Sequence, residues 1–211
     1  MMKRLRPALF VLATLSLAVP ASAADPVART EALVNAFKAV KAKPKDGALS
    51  DADRQANAKA FAALDGFFDY ERITKDPIAQ HQAAFTPEQM KKFLSDFREV
   101  IRLVAYPDSG AAMAKATYKL KAGAKRAAAK EADVEMSIRW EGEDTDTKVT
   151  FHWHDVAAST ELYDVSFDGA SLVKDYKNQF TKIIDKDKVE GLMKKLAKKL
   201  DEKRKDALVT P

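Results

Sequence analysis

Over residues 132–140 apolar and polar side chains alternate without a break, with Val134, Met136, Ile138 and Trp140 on one side and Asp133, Glu135, Ser137 and Arg139 on the other. An extended chain puts every second side chain on one face, so this run reads as a strand with one buried and one wet side. A polar loop over 141–146 turns the chain, and Val149, Phe151 and Trp153 repeat the pattern. Ala116, Tyr118 and Leu120 before this hairpin, and Tyr163, Val165 and Phe167 after it, supply two more strands. Short polar loops between them predict an antiparallel meander of four strands or slightly more, with one apolar face.

On both sides of the meander the period is helical. A helix over 26–42 carries Leu33, Phe37 and Val40 on one face and is ended by Pro44 and Gly47. A second starts at Ser50, a good N-cap, and brings Ala56, Ala60, Leu64 and Phe68 to one stripe. A third follows the cap Thr86 and the first-position Pro87, with Met90, Phe93, Leu94, Phe97, Val100, Ile101 and Val104 at spacings of three and four. After Gly169 a helix opens at Ser171 with Leu172, Val173, Tyr176, Phe180, Ile183 and Ile184 along one side. A last helix over 187–205 presents Val189, Leu192, Met193, Leu196 and Leu200. Helices, then strands, then helices, with no repeat or low-complexity linker, predict one α+β domain over 24–211, its N-terminal and C-terminal helices covering the sheet.

The first residues have a separate purpose. Lys3, Arg4 and Arg6 precede an apolar run over 8–19, then Pro20 and the small triplet Ala21, Ser22, Ala23. A basic start, a short apolar core and an A-x-A site make a cleavable secretory signal over 1–23, and the core is shorter than the roughly 20 residues of a membrane span. Cleavage after Ala23, with no later segment apolar enough to cross a membrane, predicts a soluble protein of the bacterial periplasm. Lys3, Arg4 and Arg6 are three of 36 basic residues, so without them 33 face 31 acidic ones and the net charge falls from +5 to +2. That balance argues against nucleic-acid binding. Lys194, Lys195, Lys198, Lys199, Lys203, Arg204 and Lys205 crowd one helix, where they read as a solvated face able to make transient contact with a membrane surface. Cysteine is absent, so disulfides and thiol chemistry are excluded.

The tightest polar constellation is His152-Trp153-His154-Asp155. On a strand His152 and His154 share a face, but two imidazoles are not a metal site, and the third histidine, His81, belongs to the helical half. Alternation puts both opposite the apolar face, so they read as solvated, with no metal. An enzyme shaped like a small cone and using His154 with Asp155 or Asp164 as base would need a polar group inside the apolar face. No G-x-S-x-G, H-E-x-x-H or phosphate-loop pattern occurs. We read no catalytic residue.

The run from Tyr163, Asp164 and Val165 through Gly169 and Ser171 to Tyr176, Gln179 and Phe180 resembles the signature of the MlaC family, also called the toluene-tolerance family. Upstream, Phe68-Asp69-Tyr70, Ile73, His81 and the Thr86-Pro87-Glu88-Gln89 cap with Phe93 and Phe97 resemble the family's helical half. The chain departs from the family pattern at Thr160 and Glu161, where a tryptophan is usual, and over 78–80, where a glycine is usual. The resemblance implies a periplasmic carrier of phospholipid that holds the acyl chains in an apolar pocket between sheet and helices. It also implies exchange of that lipid with an outer-membrane lipoprotein complex and an inner-membrane lipid ABC transporter, which would maintain outer-membrane lipid asymmetry.

Physical chemistry gives such a carrier a reason. Two acyl chains carry roughly 30 methylenes, whose exposure to water costs on the order of 20 kcal/mol, so a lipid does not cross water unassisted. A carrier needs an apolar cavity toward the upper end of the usual range of about 300 to 1,000 Å³. The wall expected from the sheet comprises Val134, Met136, Ile138, Trp140, Val149, Phe151, Trp153, Tyr163, Val165 and Phe167, facing Phe97, Ile101, Tyr176 and Phe180. The lipid is cargo and no cofactor is implied. The same resemblance leaves open a different apolar cargo, such as a hopanoid.

Overall fold

The computed structural model describes residues 25–44, 47–156 and 159–206. The signal-like segment over 1–23 lies outside them. Each α-helix begins at a side chain that takes up N–H groups left over by the first turn. Asp25 does so for α1 (Pro26–Lys38), Ser50 for α2 (Asp51–Asp65) and Asp69 for α3 (Tyr70–Lys75). A 3-10 segment, Asp76–Ala84, leads to Thr86 and Gln89, which cap each other's backbone at the start of α4 (Pro87–Met113). This helix runs on through Pro107, beyond Val104, the last residue of the apolar period. α1 stops at Lys38, four residues short of the expected end.

The sheet is a meander in chain order, β1 (Thr117–Arg126), β2 (Glu131–Arg139), β3 (Thr147–Val156), β4 (Ser159–Phe167) and the two-residue β5 (Ala170–Ser171), every pairing antiparallel. Asp168 and Gly169, with φ of 48° and 85°, make the tight turn between β4 and β5, a conformation that Asp tolerates and Gly favours. Then α5 (Leu172–Arg204) starts at the cap Ser171. The two C-terminal helices expected from the sequence are segments of this one element, divided at Lys188 (φ 59°, ψ −174°). Such a backbone costs a non-glycine residue about 1–3 kcal/mol. Gly191 makes room for it, since a Cβ there would meet the Asp187 Cβ at 2.2 Å.

One apolar core joins sheet and helices. α1 lies across the inner face of β1 and β2 and contacts α4 so closely that a Cβ at Gly110 would meet the Phe37 carbonyl oxygen at 2.6 Å. Beneath α1 the Trp153 indole N–H donates to Thr30 Oγ1 at 2.9 Å, and both residues are fully buried. α4 and α5 meet through Phe93, Phe97, Tyr176 and Phe180, whose rings touch edge to face or tilted.

The meander holds one irregularity that matters for the site. Residues 152 and 153 of β3 pair with Asp164 and Leu162, so Tyr163 is an extra residue in β4. The bulge resets the alternation, placing Leu162 with Trp153 on the inner face.

Candidate functional site

Where the second half of α4 and the first turns of α5 diverge over β3 and β4, they leave an apolar cavity of about 280 Å³. Trp140, Val149, Phe151, Leu162, Val165 and Phe167 line it from the sheet. Ile101, Ala105, Ala112 and Met113 line it from α4, and Leu172, Val173 and Tyr176 from α5. Phe37, Phe68 and Ile73 close the remaining side, and the polar lining residues are Asp108, Ser109 and Asp164. Val149, Phe151 and Leu162 are buried, Trp140 and Val165 half-buried, whereas Phe167 and Leu172 are 39% and 40% exposed and Asp108 is exposed as well. The last three mark the rim. Two roomier grooves, about 510 and 570 Å³, lie elsewhere on the surface, but both are open and ringed by charges such as Arg72, Lys75 and Glu161, or Lys125, Lys130 and Asp155. An acyl chain is matched far better by the apolar cavity, whose polar lining residues are few.

Half of the residues expected in the wall line the cavity: Trp140, Val149, Phe151, Val165, Phe167, Ile101 and Tyr176. Val134, Met136 and Ile138 face inward as the alternation requires, but their faces are fully buried under the helices. Trp153 is committed to Thr30, and Phe97 and Phe180 pack in the aromatic cluster between α4 and α5. Tyr163 is on the other face altogether. The expected continuation of alternation through Tyr163, Val165 and Phe167 fails at the bulge, and Leu162 takes the inward place. The α4 residues beyond Pro107 escaped sequence reasoning because they follow the last clear apolar repeat. The cavity is also smaller than expected, at the foot of the usual ligand-pocket range of about 300 Å³ and upward.

The outer face of the sheet is not the open, solvated surface expected around His152 and His154. The side chains of both are less than one fifth exposed. His152 packs among Asp133, Ser166 and Tyr163, and His154 lies against Tyr163 and Asp69, the cap of α3, where the chain at Phe68 makes a parallel bridge to Leu162 of β4. The Arg72 guanidinium stacks 3.6 Å from the Tyr163 ring centre and donates twice to Glu131 Oε1 at 3.1 Å. Arg126 grips Asp133 through two bonds of 2.9 and 2.8 Å, and reaches Glu131 and the Tyr163 hydroxyl. His152 lies between Asp133 (2.9 Å) and Ser166 (2.8 Å), and His154 Nε2 is 2.9 Å from Asp69 Oδ2 but off the line of a hydrogen bond. The bonds from Arg126, then His152, hold the Asp133 carboxyl below its ordinary value against the opposing effect of burial. Burial alone would raise Glu131, but Arg126 and Arg72 outweigh it and lower that carboxyl too.

This network ties α3 to the sheet on the side away from the cavity. Of the residues of the enzyme alternative, Asp164 lines the cavity, whereas His154 and Asp155 do not, and Asp155 is engaged with the Thr160 hydroxyl at 2.9 Å. Among the described residues no group of three His, Cys, Asp or Glu is placed to hold a metal ion, and no helix is long and apolar enough to cross a membrane.

A comparison with curated proteins gives no significant match. Among solved structures, the chain is similar to a phospholipid-binding protein from Ralstonia solanacearum that was determined in complex with a phospholipid. The two share 21% identity over 86% of this chain and 99% of that one, with a TM-score of 0.66, a likeness that speaks for the fold. The family model described as MlaC protein matches residues 32–198, from α1 through the whole meander into the second segment of α5. With that match spanning every wall of the cavity, the chain belongs to the MlaC family.

Proposed function

We propose that this protein is a carrier of phospholipid in the periplasm, exported by the segment over 1–23 and holding acyl chains between β3, β4, α4 and α5. The observation that carries the reading is the cavity, apolar inside and opening past Phe167 and Leu172. Membership of the MlaC family and the phospholipid in the Ralstonia protein of the same fold support it. At about 280 Å³ the cavity is narrower than two acyl chains require, so α5 and α4 part to admit the cargo. Transfer between an outer-membrane lipoprotein complex and an inner-membrane ABC transporter then follows the family's pattern. A carrier needs no catalytic group on this reading, and among the described lining residues there is no histidine, lysine or arginine.

The test is a transfer assay. Purified mature protein should move a labelled phospholipid from donor to acceptor vesicles separated by a filter that the vesicles cannot pass. No transfer above that of an unrelated periplasmic protein would count against a carrier.

A further inference from the structure

Two carboxylates stand in the lining, and their surroundings differ. Asp108 is exposed on the rim, whereas Asp164 is half-buried in the wall where β4 passes the start of α5. Asp164 Oδ1 accepts the backbone N–H groups of Val165 (2.8 Å) and Val173 (3.1 Å), and Oδ2 accepts the Ser171 hydroxyl at 2.5 Å. Ser171 Oγ in turn accepts the N–H of Lys174 at 3.0 Å. Both carboxylate oxygens are thus occupied by the protein itself, so Asp164 is not set up to bind a ligand group. It holds the first turn of α5, where leftover N–H groups and the positive end of the helix dipole favour a negative charge.

The consequence for the cavity follows from what the two partners carry. β4 contributes Val165 and Phe167 to the wall, and the first turns of α5 contribute Leu172, Val173 and Tyr176. Apart from Asp164, the backbone link at this corner is the short ladder of β4 with β5, Ser166 with Ser171 and Phe167 with Ala170, which leads directly into α5. Two of the three donors, the Ser171 hydroxyl and the Val173 N–H, cross that corner, and a carboxylate that takes both is its strongest polar link.

We infer that Asp164 is a positioning residue for the cargo, latching the first turn of α5 onto β4 and so setting how tightly the pocket closes on acyl chains. This rests on the carrier reading. The latch is tested by the rate at which preloaded protein releases a fluorescent phospholipid to excess vesicles, measured beside the melting temperature. Losing charge-assisted hydrogen bonds should speed release by about tenfold or more in Asp164→Ala. Asp164→Asn, which keeps an acceptor for Val173, and Ser171→Ala, which removes one bond to Asp164 together with the cap on Lys174, should fall between it and the unaltered protein. Asp133→Asn on the opposite face should lower stability while leaving release unchanged, a separation that a purely structural role for Asp164 would not give.

Release at the unaltered rate in Asp164→Ala overturns the inference, as does an equal acceleration in Asp133→Asn. If Asp164→Ala does not fold, unchanged release in both Asp164→Asn and Ser171→Ala overturns it. Should the unaltered protein hold no phospholipid at all, the carrier reading fails instead. The latch is then judged by amide hydrogen exchange at Val173 and Lys174, which must quicken in Asp164→Asn.

Discussion

Phe151 of β3 stands directly opposite Val165 of β4, and this pair lies within the stretch of sheet that lines the cavity. On the far side of the same sheet face Ile138 pairs with Tyr118 and Thr147 and is fully buried beneath the helices. The same substitution should therefore have opposite consequences at the two sites. Ile138→Trp overpacks a filled core and should cost about 1–3 kcal/mol in urea unfolding. Val165→Trp should fold with little loss once delipidated, yet retain much less phospholipid on extraction. Equal destabilisation at both positions would show that the wall at Val165 is solid core.

The difference between those two residues was not legible in the sequence. Alternation identified β2 and β3 and put Ile138 and Val165 on one apolar face, which is where they are. It carries no information on whether the facing helix fills the space or leaves it, since side-chain type is the same in a packed core and a hollow one. Tyr163 was misplaced for a related reason: Leu162 and Tyr163 are both large, and nothing in their order marks the extra residue of a bulge. Helix starts were the most readable feature, because Ser50, Thr86 and Ser171 signal themselves by local chemistry. The burial of His152 and His154 was hidden, as it depends on partners distant in sequence, Ser166 on β4 for His152 and Asp69 before α3 for His154.

The ionic network around Asp133 and Glu131 makes acid stability the next test. Both carboxyls lie below their ordinary values in the folded chain. They favour the fold at every pH above the ordinary carboxyl range near 4, and that contribution fades as the pH falls through it toward the depressed values. Melting temperature should thus be flat above about pH 5 and decline below about pH 4, and Asp133→Asn should flatten the decline. An identical acid limb in that variant would remove Asp133 from the account.

Burial of the Trp153–Thr30 bond gives a sharper stability effect. Thr30→Val keeps the shape but leaves the indole N–H without its acceptor in a fully buried place, which should cost about 1–3 kcal/mol. Lipid retained per folded molecule should not change, because neither residue lines the cavity.

Export is checked at the N-terminus. Protein recovered from the periplasmic fraction should begin at Ala24, after the A-x-A site. A chain that still carries Phe10 or Val19, or a pool that salt does not release from membranes, would contradict cleavage.

The central claim, that the apolar cavity exists to hold phospholipid, is tested most directly by mass spectrometry of an organic extract from the purified mature protein, quantified against its concentration. The account predicts phospholipid in stoichiometric amount, lost in proportion as Val165→Trp fills the cavity. An extract with no more phospholipid than that of an unrelated periplasmic protein purified alongside would contradict it.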